Sequence, residues 1–240
     1  MCRSPGEPFS NNHKEMKMQK TLALIHTSFV FLNVETSLMK MLSEVLPDVR
    51  LVNIVDDSLL ADVMREGKVT PAITRKMCHY VLAAEQTGAQ AILSLCSTMG
   101  DTIDVARKLV SLPIMKIDEA MAEKAVAEGE KIGVLATVPS TLDPTIRLIH
   151  SKGSDINKKV KTERLLCEGA FQILMSGDKA KHDQIVMEKA SSAAKGVDVF
   201  VLAQASMARL ESQFAQKVGK PVFTSPRLCV EKVKQLLETL

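Results

Sequence analysis

The feature that most constrains the fold is a regular alternation of short apolar runs with longer stretches of helical period, which continues from residue 21 almost to the C-terminus. Apolar runs of this kind are typical of parallel strands buried on both faces, and their alternation with helices favours right-handed crossover units. The sequence therefore predicts an α/β fold. The predicted strands are 21–27, 50–55, 91–95, 113–117, 131–137, 160–166, 199–203 and 221–225. The predicted helices are 34–46, 70–88, 102–111, 119–128, 140–151, 180–195, 207–218 and 226–239.

Two segments resemble one another across the chain. Residues 88–96 read GAQAILSLC and residues 196–204 read GVDVFVLAQ, so each predicts a glycine helix exit, a buried strand and a small polar turn. The repeat favours two similar α/β domains, although any doubly wound protein repeats this unit. We expect the first domain over 20–117, completed by 221–240, and the second over 118–220.

Composition restricts the classes of function. Lys plus Arg exceed Asp plus Glu by only three, the excess is spread along the chain, and there is one Tyr and no Trp, so we expect no nucleic-acid partner. No apolar run approaches the ~20 residues of a membrane span, so we expect no membrane partner. Residues 1–19 lack the apolar core of a secretory signal and predict a flexible extension. The five cysteines form no C-x-x-C pair, which favours a reduced, cytoplasmic protein.

Polar residues gather where four predicted strands lead into helices. Ligands of parallel sheets bind beyond the carboxyl ends of the strands, next to unpaired N–H groups at helix N-termini. The candidate site residues at these turns are His26, Ser28, Cys96, Ser97, Thr98, Thr137, Ser140, Thr141, Gln204, Ala205 and Ser206.

Cys96 ends a predicted strand and precedes two hydroxyl residues and a helix. The helix N-terminus favours a thiolate, which could serve as a base or a nucleophile. The alternative is a packing cysteine, because cysteine is among the most frequently buried residues. For Ser140 and Thr141 the alternative is plain helix capping, and for His26 it is a hydrogen-bonded histidine at the end of a strand.

Motifs for phosphate cofactors and metals are missing from the sequence: there is no Walker A motif, no G-x-G-x-x-G and no H-E-x-x-H. We therefore expect neither a metal nor a phosphate-containing cofactor. The methionines at 99, 115, 121 and 207 are expected in the core, and the histidines at 79, 150 and 182 are expected on solvated helix faces.

The same turns resemble the aspartate/glutamate/hydantoin racemase superfamily, which includes maleate isomerases and arylmalonate decarboxylases. The resemblance spans about residues 21–230 and is carried by AILSLCSTMGDTID, IDEAMAEKA, IGVLATVPSTLDPT and DVFVLAQASMARL, in that order. It implies two similar domains with an active-site cleft between them, a small carboxylate substrate such as an amino acid, and neither pyridoxal phosphate nor metal. It also implies a homo-oligomer, a dimer or larger.

In this superfamily each domain typically offers one cysteine to opposite faces of the substrate's α-carbon. By resemblance Cys96 matches the first cysteine, and Ser97, Thr98, Thr137 and Thr141 match the carboxylate-binding turns. Gln204 stands where the second cysteine is expected, and an amide has no usable pKa for proton transfer near neutrality. This departure identifies the chain as an atypical member.

The favoured hypothesis is a cofactor-independent isomerase in which Cys96 transfers a proton at the α-carbon and Gln204 helps to bind the substrate. One alternative is a lyase or decarboxylase that needs a single thiol. The other is a catalytically silent carboxylate-binding protein. A pKa of Cys96 well below ~8.5 would favour an activated thiol, and an ordinary or raised pKa would favour the silent protein.

Overall fold

The computed structural model describes residues 19–240, with every side chain in that range except those at positions 34 and 206. The extension predicted over 1–19 lies outside the described residues up to position 18. The strands are β1 (Thr21–His26), β2 (Arg50–Val55), β3 (Ala91–Ser94), β4 (Ile114–Lys116), β5 (Lys131–Ala136), β6 (Lys161–Leu166), β7 (Val199–Leu202) and β8 (Val222–Thr224). All eight predicted strands are confirmed, and no end differs by more than one residue.

The α-helices are α1 (Ser37–Val45), α2 (Ser58–Glu66), α3 (Pro71–Glu85), α4 (Gly100–Ala106), α5 (Glu119–Glu128), α6 (Pro139–Asp155), α7 (Ala170–Met175), α8 (Lys179–Ala193), α9 (Glu211–Val218) and α10 (Ser225–Thr239). Three shorter segments are a π-helix at Val30–Val34 and 3-10 helices at Ser97–Met99 and Ala205–Leu210. Helices α2 and α7 were not predicted. Helix α4 ends five residues before the predicted end, because i→i−3 bonds from Lys108 and Leu109 tighten the chain into a turn.

Two four-stranded parallel sheets form the framework, and the second repeats the topology of the first. The strand orders are β2-β1-β3-β4 and β6-β5-β7-β8. Strands β3 and β7 therefore hold equivalent places, as the repeated segments at 88–96 and 196–204 predicted. The α/β fold with two similar parallel sheets flanked by helices is confirmed.

The inner strands of each sheet are buried on both faces, whereas the edge strands β2 and β6 are partly exposed. In β1, Leu22 and Leu24 pack towards α1 and α10, while Ala23 and Ile25 pack towards α2, α3 and α4. In β5, Val134 faces α5 and α6, and Leu135 faces α8 and α9. This two-sided burial explains why the strands read as continuous apolar runs. The methionines predicted for the core are all buried.

Two helices connect the halves. Helix α5 follows β4 of the first sheet but packs in a core of the second, and α10 follows β8 of the second sheet but packs in a core of the first. The two helices contact each other, and Lys232 forms an ion pair with Glu123 between them. Strand β8 itself pairs with β7 in the second sheet. The residue boundaries predicted for the domains stay a prediction.

From residue 19 to the C-terminus, no helix is both long enough and apolar enough to cross a membrane.

Candidate active site

A cleft of about 440 Å³ lies where the carboxyl ends of both sheets meet. Residues from both halves line it, as expected for a ligand site of parallel sheets. The sequence-predicted residues in its lining are Ser28, Cys96, Ser97, Thr98, Ser140, Thr141, Gln204 and Ala205. His26 and Thr137 lie outside the lining, and the side chain of Ser206 is outside the described part of the chain.

Cys96 directly precedes the 3-10 helix at Ser97–Met99, two residues beyond the end of β3. Its backbone is extended, and the chain then turns sharply, so N–H groups of the new helix face the sulfur. The donors next to the sulfur are the hydroxyls of Thr27 and Thr98 and the N–H of Thr98. The N–H of Met99 is also near, but it donates to the carbonyl oxygen of Cys96 at 3.1 Å. These donors can stabilise a thiolate after the proton has left.

Burial raises the pKa of the Cys96 thiol, and the neighbouring donors oppose this only in part. The lowered pKa expected from the helix N-terminus is therefore wrong. The reason is desolvation: the sulfur is only half-buried by exposure, but it lies deep among apolar groups of the β3 core. The neutral thiol, which can donate a proton, is thus favoured.

Gln204 directly precedes the second of the matching 3-10 helices, two residues beyond the end of β7. Its side-chain oxygen Oε1 accepts hydrogen bonds from the backbone N–H of Thr137 at 2.5 Å and from the Thr137 hydroxyl at 2.9 Å. Because both contacts are donors, they fix the orientation of the amide. Gln204 lines the cleft, and within residues 19–240 its NH₂ group has no hydrogen-bond partner, so it is available there as a pure donor.

Thr27 and Thr137 hold equivalent positions in the two halves. Each is the residue immediately after the first strand of its sheet, β1 or β5. Thr27 directs its hydroxyl at the sulfur of Cys96, as Thr137 directs its own at Gln204. The sequence reasoning did not select Thr27. The signal that could have identified Thr27 is its position directly after β1, which is equivalent to that of Thr137 after β5.

His26 lies in the interior beneath the cleft. The ring is 1% exposed, and its Nε2 pairs with Oδ1 of Asn53 at 2.8 Å on the neighbouring strand. Burial lowers the pKa of His26, and the bond to Asn53 opposes this only in part. His26 therefore matches the alternative of a hydrogen-bonded histidine at the end of a strand. His182, expected to be solvated, is also buried and bonds Asp183 at 2.7 Å.

The capping role considered for Ser140 and Thr141 is wrong. Helix α6 begins at Pro139 with Val138 in the capping position, and no side chain caps it. Both hydroxyls lie in the first turn and line the cleft. The N-terminus of this 17-residue helix therefore presents mainly hydroxyl groups to the cleft, because Pro139 has no N–H and the N–H of Thr141 donates to the carbonyl of Val138 at 3.3 Å.

The two halves also contact each other beside the cleft. The hydroxyls of Thr98 and Thr141, one from each half, are 3.4 Å apart. Farther out, Arg147 of α6 donates to Asp101 of α4 at 2.6 Å. These contacts hold the first turn of α6 against the segment that follows Cys96.

A second cavity lies behind Ser97 and is lined by charged residues. Glu119 is buried and accepts from Nη2 of Arg107 through both carboxylate oxygens at 2.8 Å. Burial alone would raise the pKa of Glu119, but Arg107, the N–H of Lys116 and Lys152 together lower it. The neighbouring Asp118 is 1% exposed, and burial raises its pKa against the opposing effect of the Ser97 hydroxyl.

Much of the cleft lining was missed by the sequence reasoning because it is apolar. It comes from the π-helix, from α2 and from α7, the segments that were predicted least well. The apolar residues from these segments are Val30, Phe31, Leu60, Met64, Phe171, Leu174 and Met175. The charged residues in the lining are Glu35, Lys179 and Arg209.

Within residues 19–240 no group of three or more His, Cys, Asp or Glu side chains has the arrangement needed to hold a metal ion. The four cysteines in this range, at 78, 96, 167 and 229, are all free thiols. Of these, only Cys96 lines the cleft.

The fold and the site define the class of protein: two matching α/β halves that enclose a cleft with one thiol. Comparison of the sequence with known families gives the family. The family described as Asp/Glu/Hydantoin racemase matches residues 32–233. The chain belongs to this family. It matches no curated protein sequence.

Solved structures share the fold at low sequence identity. Allantoin racemase from Klebsiella pneumoniae has a TM-score of 0.62 at 16% identity, with 92% of this chain and 88% of that chain covered. Glutamate racemase from Bacillus anthracis has a TM-score of 0.65 at 18% identity, with coverages of 92% and 82%. Aspartate racemase from Picrophilus torridus has a TM-score of 0.65 at 14% identity, with coverages of 90% and 94%. At these identities the comparisons establish the fold alone.

Proposed function

We propose that the protein is a cofactor-independent, racemase-like isomerase that acts on a small carboxylate by proton transfer at the α-carbon, with Cys96 as the thiol acid and base. The observation that carries the proposal is the pairing of Cys96 and Gln204 at equivalent positions of one cleft, each supported by a threonine of its own half. Family membership supports the reaction class. The three structural relatives are racemases of allantoin, glutamate and aspartate, so they do not select a substrate.

The substrate carboxylate is proposed to bind at the first turn of α6. The positive end of the helix dipole favours an anion there, and the hydroxyls of Ser140 and Thr141 supply donors. The NH₂ group of Gln204 supplies further donors. Together these groups would also hold the negative charge of an enolate as it forms.

In the proposed step the S–H bond of Cys96 breaks and a C–H bond forms at the α-carbon, using the electron pair of the enolate. The thiolate left behind is stabilised by the hydroxyls of Thr27 and Thr98 and by the N–H of Thr98. In reverse, the same thiolate takes the α-proton. A neutral resting thiol fits the donating direction, consistent with the raised pKa.

A lyase is the second candidate, and Gln204 is the observation that favours it. An amide cannot protonate the opposite face, so inversion would need another acid there. In a decarboxylation the C–C bond electrons pass into the enolate as CO₂ leaves, and Cys96 alone completes the reaction. A protein that binds carboxylates without turnover is the third candidate, and the raised pKa of Cys96 is the observation that favours it.

One experiment separates these three functions. The protein is incubated in D₂O with glutamate, aspartate, phenylglycine and phenylmalonate, and the products are followed by proton NMR and chiral chromatography. An isomerase incorporates deuterium at the α-carbon and changes the enantiomer ratio, whereas a lyase releases CO₂ and leaves one deuterium on the product. Binding of these acids without either change would contradict the proposal and favour the silent protein.

A further inference from the structure

The two ends of the cleft differ in chemistry. Its inner end carries buried polar groups, among them Ser97, Thr98 and Thr141. Its outer end is apolar and is built by three separate segments: the π-helix with Val30, α2 with Leu60 and Met64, and α7 with Phe171 and Met175. A ligand that fills the cleft must therefore be polar at one end and apolar at the other.

The apolar end includes side chains that are unusually exposed for their type. Val30 is 36% exposed, Met64 is 50% exposed and Met175 is 71% exposed. Single exposed apolar residues are common, but a group of them around one cleft marks a surface that a ligand covers. Methionine is suited to this use, because its flexible side chain adapts to the shape of an apolar group.

Three charged residues lie in the lining of the cleft: Glu35, Lys179 and Arg209. Arg209 is occupied by an ion pair with Asp183, and Glu35 would repel a carboxylate. Lys179 lies in the lining, and among residues 19–240 no carboxylate lies within ion-pair distance of it. The lining itself thus has two positive charges and one negative, and Lys179 is the cation that a second acidic group of a ligand would contact.

The size of the cleft agrees with a bulky ligand. Its volume of about 440 Å³ falls within the roughly 300–1,000 Å³ of pockets that enclose drug-sized molecules. A small acid bound at the inner end would leave the apolar segments uncovered.

We infer that the substrate is a carboxylate whose α-carbon carries a large apolar substituent, aromatic or branched aliphatic, in place of the second acidic group of aspartate or glutamate. The inference rests on the proposed function, because it assumes that the carboxylate binds beside Cys96 and Gln204. The substituent then extends between α2 and α7. Each buried methylene contributes roughly fourfold in affinity, so a phenyl group contributes tenfold or more.

Calorimetric titration of the full chain with phenylacetate, isovalerate, acetate and succinate tests this inference. We expect phenylacetate to bind at least tenfold more tightly than acetate or succinate, with isovalerate in between. The variant Met64→Ser is expected to weaken phenylacetate binding about threefold or more and to leave acetate binding unchanged. Leu109→Ser is the matched control, because Leu109 is 49% exposed, like Met64, but lies outside the cleft lining.

Tighter binding of succinate than of phenylacetate, lost in Lys179→Met, would overturn the inference, as would equal binding of all four acids. Failure of the proposed function can be distinguished from failure of this inference. If phenylacetate binds as expected but no substituted acid exchanges its α-hydrogen, the substrate class stands and the isomerase proposal falls. If exchange occurs only with aspartate or glutamate, the isomerase proposal stands and the substrate class falls.

Discussion

Cys96 and Gln204 hold equivalent positions in the two halves, each two residues beyond the third strand of its sheet and directly before a 3-10 helix. One offers a thiol that can lose a proton, and the other offers an amide that cannot. The cleft is therefore symmetrical in backbone and asymmetrical in chemistry. This asymmetry determines what can be expected of variants at both positions.

Replacing Gln204 by glutamate tests its role as a donor to the substrate. In Gln204→Glu the contacts from Thr137 can persist, because a carboxylate oxygen accepts the same two hydrogen bonds. The NH₂ donors are replaced by a charged oxygen that repels a carboxylate. We expect affinity for carboxylates to fall at least tenfold, about 1.4 kcal/mol.

Gln213→Glu adds the same charge on the exposed face of α9 and serves as the control. Equal affinities of the two variants in a calorimetric titration would show that residue 204 does not contact the carboxylate.

The Thr137 hydroxyl is predicted to orient Gln204 rather than to bind substrate, since it lies outside the cleft lining. In Thr137→Val the backbone N–H still donates to Gln204, but the hydroxyl bond is lost. We expect a loss of about 1 kcal/mol in the free energy of unfolding and a raised KM with little change in kcat.

Thr162→Val provides the comparison, because it removes one side-chain hydrogen bond, to His150, at the edge strand β6. Urea unfolding should give a similar loss for both variants, while only Thr137→Val alters KM. A KM change in both would point to a general effect on stability.

Asp118 is predicted to destabilise the fold as the pH rises. Burial raises its pKa above the usual 3.8, so the folded state holds the proton more tightly than the unfolded state does. Its contribution to stability is complete below about pH 3.8 and is lost as the pH rises through the folded pKa. Relative to the parent, Asp118→Asn should therefore gain stability with rising pH in urea titrations, and a constant difference would contradict this.

For its neighbour Glu119 the change in stability with pH is predicted to have the opposite sign. The folded pKa is lowered below the usual 4.5, so its stabilising contribution is present above that pH and is lost as the pH falls through the folded pKa. Glu119→Gln removes the buried partner of Arg107 and Lys152, which keep Asp104 and Glu123 as second partners, and should cost about 2 kcal/mol at neutral pH. The loss should diminish in acid. A loss that is the same at pH 7 and pH 3 would contradict the assignment.

The sequence predicted the framework better than the lining of the cleft. Continuous apolar runs identified the central strands such as β1 and β7, because burial on both faces leaves little freedom in composition. Helices α2 and α7 were not predicted, so the apolar side chains that they contribute to the cleft, such as Met64 and Met175, were not among the predicted site residues.

The pKa of Cys96 could not be obtained from sequence for a related reason. The turn after β3 correctly indicated N–H donors, but desolvation depends on distant residues that pack around the sulfur. His26 was included as a candidate because it ends β1, while its partner Asn53 belongs to a strand that only the fold brings alongside.

The most direct test of the account is the rate at which deuterium from D₂O enters the α-position of a bound carboxylate, measured by NMR for Cys96→Ala and for Cys78→Ala. Both cysteines are half-buried, but only Cys96 lines the cleft. A positioned acid-base group contributes about 10²–10⁴-fold, so Cys96→Ala should lose at least a hundredfold in exchange rate while Cys78→Ala matches the parent. Exchange at the parental rate in Cys96→Ala would contradict the central claim.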